Sequence, residues 1–187
     1  MLERLLTNTR TLSLWLTWIG GTLIVLSAFL VTAEVFLRKL FNLSIGGADE
    51  ISGYAFGVAT ALALSYALFE RAHIRVDALL GAIPKVLHGA INLLGMLLLV
   101  SFALVIVYNV WSMVGDTLSN GSRSITPMRV PLAIPQIPWL LGWAFFVFSG
   151  LLLCLVALRR MAKGDHAGTQ DLIGVKSLDE QIQDETV

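Results

Sequence analysis

The nineteen residues Ile51–Phe69, ISGYAFGVATALALSYALF, carry no formal charge and decide how the rest of the chain is read. At about 1.5 Å per residue, a helix of that length reaches roughly 28 Å and spans the hydrocarbon core of a bilayer. Small residues recur in it at helical spacing. Gly53, Gly57, Ala61 and Ser65 fall four apart, and so do Ala55, Ala59, Ala63 and Ala67, displaced by about 200° around the axis. In lipid no hydrophobic force draws helices together, so small residues matter because they let backbones approach. Two nearly opposite small faces predict a helix packed on both sides, either within its own bundle or with one face against another polypeptide.

Three more apolar stretches flank this one, giving spans at about 12–37, 51–69, 86–114 and 132–158. Alternating patterns and turn signals of a closed barrel are missing, so the spans read as helices that satisfy their own backbone bonds. The whole chain agrees: of 187 residues 56% are hydrophobic and 14% charged, with a mean hydropathy of +0.78. A soluble domain carries about a quarter charged residues. The expected fold is an all-α integral membrane protein. Residues 1–163 form its four-helix membrane domain and residues 164–187 a solvated acidic tail, in which six acids face one lysine. The first apolar stretch is far longer than a signal-peptide core and is read as a span.

Basic residues set the orientation. Arg4, Arg10, Arg71, Arg75, Lys85, Arg159, Arg160 and Lys163 lie on the side of both termini, eight against the four of Arg38, Lys39, Arg123 and Arg129. The excess predicts cytoplasmic termini. Positive and negative charges balance at 13 each, with no basic stripe for a nucleic acid.

Charged and polar residues gather at the span ends. Asp49 and Glu50 open the second span after Gly46-Gly47, where acids complement the helix dipole. Glu34 and Arg38 stand four apart and can pair at the end of the first span. Between the second and third spans, Asp77 can cap a short amphipathic helix at about 77–87, with Leu79, Leu80, Ile83 and Leu87 on its apolar side. Pro127, Pro131, Pro135 and Pro138 crowd the approach to the fourth span and predict a stiff non-helical strap. Trp139 and Trp143 are expected to anchor the helix at that interface, and Asn92 and Asn109 to bond to neighbouring helices. Lone Cys154 has no redox partner. His73 and His88 lack the companions of a metal or haem site, so no metal, cofactor or catalytic constellation is expected.

Asp49-Glu50-Ile51-Ser52-Gly53-Tyr54, followed by Ala72-His73-Ile74-Arg75-Val76-Asp77, resembles the small membrane subunit of TRAP (tripartite ATP-independent periplasmic) transporters. Thr126-Pro127 and Ile134-Pro135 through Trp139 are similar to that family too, and the likeness covers roughly residues 10–160. One departure stands out: Phe56-Gly57-Val58 occupies the middle of the second span, where the family often has a tryptophan. The resemblance implies a non-enzymatic subunit of the bacterial inner membrane. Its partners would be lipids, a large elevator-type subunit carrying solute and sodium, and a periplasmic solute-binding protein. The cargo would be an organic acid such as a C4-dicarboxylate or sialic acid. By transfer, Asp49, Glu50, His73, Arg75 and Asp77 become interface or shaping residues beside Gly53, Gly57 and Ala61. The competing readings are a stand-alone small proton-coupled exporter, which needs an acid near mid-span, and a four-helix redox enzyme, which needs better-placed histidines.

Overall fold

The computed structural model describes residues 2–72 and 85–174. These form α1 (Leu2–Phe41), α2 (Ala48–Phe69), α3 (Lys85–Asn120), α4 (Ala133–Ala162) and α5 (His166–Ile173). The first four are long and apolar enough to cross a membrane. The protein is all-α with four transmembrane helices, as the hydropathy pattern predicts. The interfacial helix expected at 77–87 falls mostly outside the described residues, and Lys85 onward belongs to α3.

The helices overrun the apolar stretches that define them. α1 has 40 residues, about 60 Å at helical rise, twice the thickness of a hydrocarbon core. Its first turns carry Glu3, Arg4 and Arg10 beyond the apolar part. The helix continues until the backbone is turned, at Asn42 with φ 53° and Gly46 with φ 72°. α3 ends likewise at Gly121 with φ 58°, and the chain leaves α4 through Gly164 with φ 76°.

The arrangement is a row rather than a closed bundle. α1 packs on α2, α2 on α4, and α4 on α3, leaving α1 and α3 at the two edges. Burial follows position: the most apolar window of α4 is 61% buried, that of α1 only 6%. The core lies where α3 and α4 cross beside the end of α2, around Leu68, Met96, Val100, Phe146 and Leu153.

Each seam has a close approach at a glycine. A Cβ on Gly20 would sit 2.9 Å from the Ala59 carbonyl oxygen, joining α1 to α2. One on Gly142 would sit 2.8 Å from the Ala61 carbonyl carbon, joining α4 to α2. One on Gly150 would meet Val100 at 2.5 Å, joining α4 to α3. The two small faces of α2 are thus used within the chain at Ala59 and Ala61.

Three expectations need correction. The proline strap is shorter than expected, because Pro135 and Pro138 lie inside α4. A proline in the first turn costs no hydrogen bond, since those N–H groups have no intrahelical partner; Pro138 sits deeper, where packed transmembrane helices tolerate such a break. The tail does not begin at Gly164. α5 folds back onto α3 and α4, with Ile173 and Thr169 buried. Asp165 caps it by accepting from Gly168 N–H, and Asn92 donates to Gln170 at 3.1 Å. Apolar Leu172 and Ile173 find partners there that an average over the acidic tail hides. Asn109 bonds to the carbonyl of Val105 in its own helix at 2.7 Å, not to a neighbour. Residues 175–187 lie outside the described residues.

The glycine seams make a paired prediction. Gly20→Leu forces a branched side chain into the α2 backbone, an overpacking cost of about 1–3 kcal/mol, whereas Gly21 has open space around it. Thermal unfolding in detergent should show a lower midpoint for Gly20→Leu and little change for Gly21→Leu. Equal midpoints would show that the α1–α2 seam is not held there.

Candidate functional site

At the end of the helices opposite the termini, two carboxylates each hold a loop. Glu34, on the last part of α1, is 2% exposed. Its Oε1 accepts from Arg38 Nη2 at 2.6 Å and from the Ser44 hydroxyl at 2.6 Å. Its Oε2 accepts from the Ile45 amide at 2.7 Å. The turn through Asn42 and Gly46 exists to bring Ser44 and Ile45 back over this group. Arg38 spends one nitrogen on Glu34 and leaves the rest of its guanidinium exposed.

Glu50 stands one helix away in the first turn of α2. The Tyr54 hydroxyl, one turn on, donates to Oε1 at 2.7 Å. The Thr126 hydroxyl donates to Oε2 and is itself 2.8 Å from the Ser124 hydroxyl. These two residues belong to the strap between α3 and α4, a narrow hairpin-like loop. Ser124 N–H donates to Val130 carbonyl at 2.9 Å, Leu132 N–H to Ser122 carbonyl at 3.1 Å, and Arg123 bridges to Pro131. Gly47 completes the joint: a Cβ there would land 1.8 Å from the Met128 sulfur, so a larger residue would have to displace the Met128 side chain from the start of α2. Ile125 projects outward from the strap into the surroundings, while exposed Arg123 donates to the Arg129 carbonyl at 3.2 Å.

Asp49, beside Glu50, is exposed, and its carboxylate is in no hydrogen bond or ion pair among the described residues. Gly53 and Gly57 face open space within the chain, unlike Ala61 on the same stripe. They border an apolar groove of about 200 Å³ with Tyr54, Met113, Gln136 and Trp139. Trp139 and Trp143 are half-buried rather than projecting, since α4 lies inside the row between α2 and α3. Trp143 meets Phe146 edge-on at 5.9 Å, and its indole N–H is buried without a partner among the described residues. His73, Arg75 and Asp77 lie outside the described residues.

The terminus end is tied by ion pairs across helices. Arg10 meets Glu70 at 2.7 Å, and Arg160 meets Glu3 at 3.0 Å while donating to the Gly168 carbonyl at 2.8 Å. Sequence reasoning identified Glu34, Arg38 and Glu50, but not Ser44, Ser124 or Thr126. Hydroxyls in loops carry no periodic signal, and the only hint was the Thr126-Pro127 pair. Chemically the two carboxylates act as fasteners: their oxygens are taken up by loop hydroxyls, by Tyr54 and Arg38, and in Glu34 by one backbone amide.

The family described as tripartite ATP-independent periplasmic transporters, DctQ component, matches residues 27–164. No curated protein and no solved structure matches the chain.

Removing the Glu50 carboxylate should free the strap. Hydrogen bonds to a charged group contribute about 1.5–3 kcal/mol, so opening of the strap should rise by roughly tenfold or more. Trypsin cleavage after Arg123 and Arg129 should accelerate accordingly in Glu50→Ala and stay near wild type in Asp49→Ala. An unchanged rate in Glu50→Ala would mean that the strap is held by its own backbone bonds alone.

Proposed function

The chain belongs to the DctQ-component family of tripartite ATP-independent periplasmic transporters, and from that membership we propose that it is the small membrane subunit that braces the large transport subunit. The family works within transporters that also contain a large membrane subunit and a periplasmic binding protein. The observation that carries the proposal is the family match over residues 27–164 on a row of helices that leaves two broad apolar faces.

A bracing role fits the placement of charge. Among the described residues the ionic groups sit at the two ends of the helices, and the most enclosed carboxylate, Glu34, is spent on a loop. An exporter would need such a group in the middle of the membrane, facing water or cargo. In the proposed assembly the sodium and the organic acid, a C4-dicarboxylate, sialic acid or similar, pass through the large subunit. The termini lie in the cytoplasm, and the strap with exposed Ile125 lies on the periplasmic side, where it helps receive the binding protein. The open Gly53–Gly57 stretch beside Trp139 is the surface against which a helix of the large subunit packs.

Co-expression with the large subunit tests this. Gly57→Leu should fold as wild type, because a Cβ at Gly57 meets nothing within 4 Å, yet it should recover less large subunit on purification and support less uptake. Undiminished recovery would remove this stripe from the interface. Sodium-driven uptake into vesicles containing this chain alone would remove the bracing role altogether.

A further inference from the structure

We propose that the seam between α1 and α2 is a binding site for one amine-bearing zwitterionic phospholipid, of the phosphatidylethanolamine class. The seam opens into a groove of about 570 Å³ whose walls include Ile24, Ala28 and Val31 of α1 and Ser52 and Phe56 of α2, with Asp49 at its mouth. The Ser27 and Ser52 hydroxyls donate to the Leu23 and Asp49 carbonyls at 2.8 and 2.9 Å, so neither proton is offered to the groove. What remains is an apolar slot with a carboxylate at one end.

Depth selects the occupant. From Ile24 to Val31 the groove runs about 10 Å along the helix axis, which lies within the ~15 Å of one hydrocarbon leaflet. Further toward the termini it closes, because Gly20 and Ala59 bring the two backbones into contact. A transmembrane helix of a partner needs a channel across the whole core. An acyl chain entering from the loop-side leaflet needs only this half.

Charge at the mouth selects the headgroup. Asp49 is exposed and makes no ion pair among the described residues, so its carboxylate is available to an ammonium group. On α1, Arg38 is seven residues beyond Val31, two turns along the same face, and Lys39 follows it. The exposed part of the Arg38 guanidinium and the Lys39 ammonium can take the phosphate. A carboxylate and cations side by side complement a zwitterion better than an anionic glycerol lipid, which offers the same phosphate to Arg38 and Lys39 but no ammonium to Asp49.

Native mass spectrometry of the full chain in mild detergent, challenged with dioleoyl phosphatidylethanolamine or dioleoyl phosphatidylglycerol, tests the site. Wild type should retain the amine lipid over the glycerol lipid by roughly three- to fivefold, the preference one exposed ion pair can supply. Asp49→Asn should bring the ratio to about one, again by loss of that pair. Ala28→Phe and Val31→Trp, which fill the slot from α1, should lower retention of both lipids, and Gly21→Phe, outside the slot, should leave both unchanged. Circular dichroism and gel filtration identify any variant that misfolds, and having two slot-filling variants keeps the test open if one does. Equal retention of the two lipids by wild type, or full retention in a folded slot-filling variant, overturns the proposal. So does efficient cross-linking of Ala28→Cys to the large subunit in the assembled transporter, which would give the groove to protein instead.

Discussion

Backbone approach at small residues is the constraint on which this structure depends. In water, burying apolar area would hold four such helices together; in lipid the surroundings are as apolar as the side chains, and that force is lost. What remains is dispersion, which falls steeply with separation. Gly20 against Ala59, Gly142 against Ala61 and Gly150 against Val100 bring the helices close enough for it to act. Because α2 carries alanines on opposite sides, it takes α1 on one and α4 on the other. Because α4 carries glycines at positions 142 and 150, it takes α2 and α3. A chain of pairwise seams, each needing its own small residue, produces a row.

A row has consequences at its ends. A closed bundle braces each helix on two sides, whereas α1 has only α2 along most of its length. The polar fasteners lie where this matters. Arg10–Glu70 ties α1 to the end of α2 at one end, and Arg160–Glu3 ties α1 to α4 there too. At the other end Glu34 and Glu50 hold the two loops down onto the helices. Ion pairs exposed to water contribute little individually, about 0–1 kcal/mol, but the enclosed Glu34 gathers three donors and should fix its loop more firmly.

The fold was legible in the sequence to the extent that hydropathy decides it. Four apolar stretches and their helical nature follow from length and from the backbone's need for hydrogen bonds in lipid. The two small faces of α2 were visible as spacing. Their partners were not, because Gly20, Gly142 and Gly150 look like scattered glycines until the helices are set side by side. α5 was hidden for a different reason. Residues 164–187 average to an acidic tail, while the docking of α5 rests on Ile173, Thr169 and one Asn92–Gln170 bond, which are properties of the surface it meets rather than of its own composition. The candidate site was half legible. Charged residues at span ends announce themselves, but Ser44, Ser124 and Thr126 become partners only through turns at Asn42, Gly46 and Gly121. The same reasoning over-extended the proline strap, since a proline near a helix start breaks less than one in its middle.

A flat, oily row suits a subunit whose work is mechanical. A transporter that carries cargo within its own chain must open and close around it, which calls for alternative packings and a polar path. Here the seams of α2 with α1 and with α4 are set by backbone contacts, and that of α4 with α3 by Gly150 against the Val100 side chain, so sliding one helix past another would cost the contact that joins them. Stiffness across the row and a large apolar face on either side are what a fixed wall needs when another protein moves against it. The open glycines at positions 53 and 57 then acquire a meaning that the filled ones do not have. Ala59 and Ala61 already meet partners inside the chain, while Gly53 and Gly57 remain as unused close-approach positions on a helix locked in place by its neighbours.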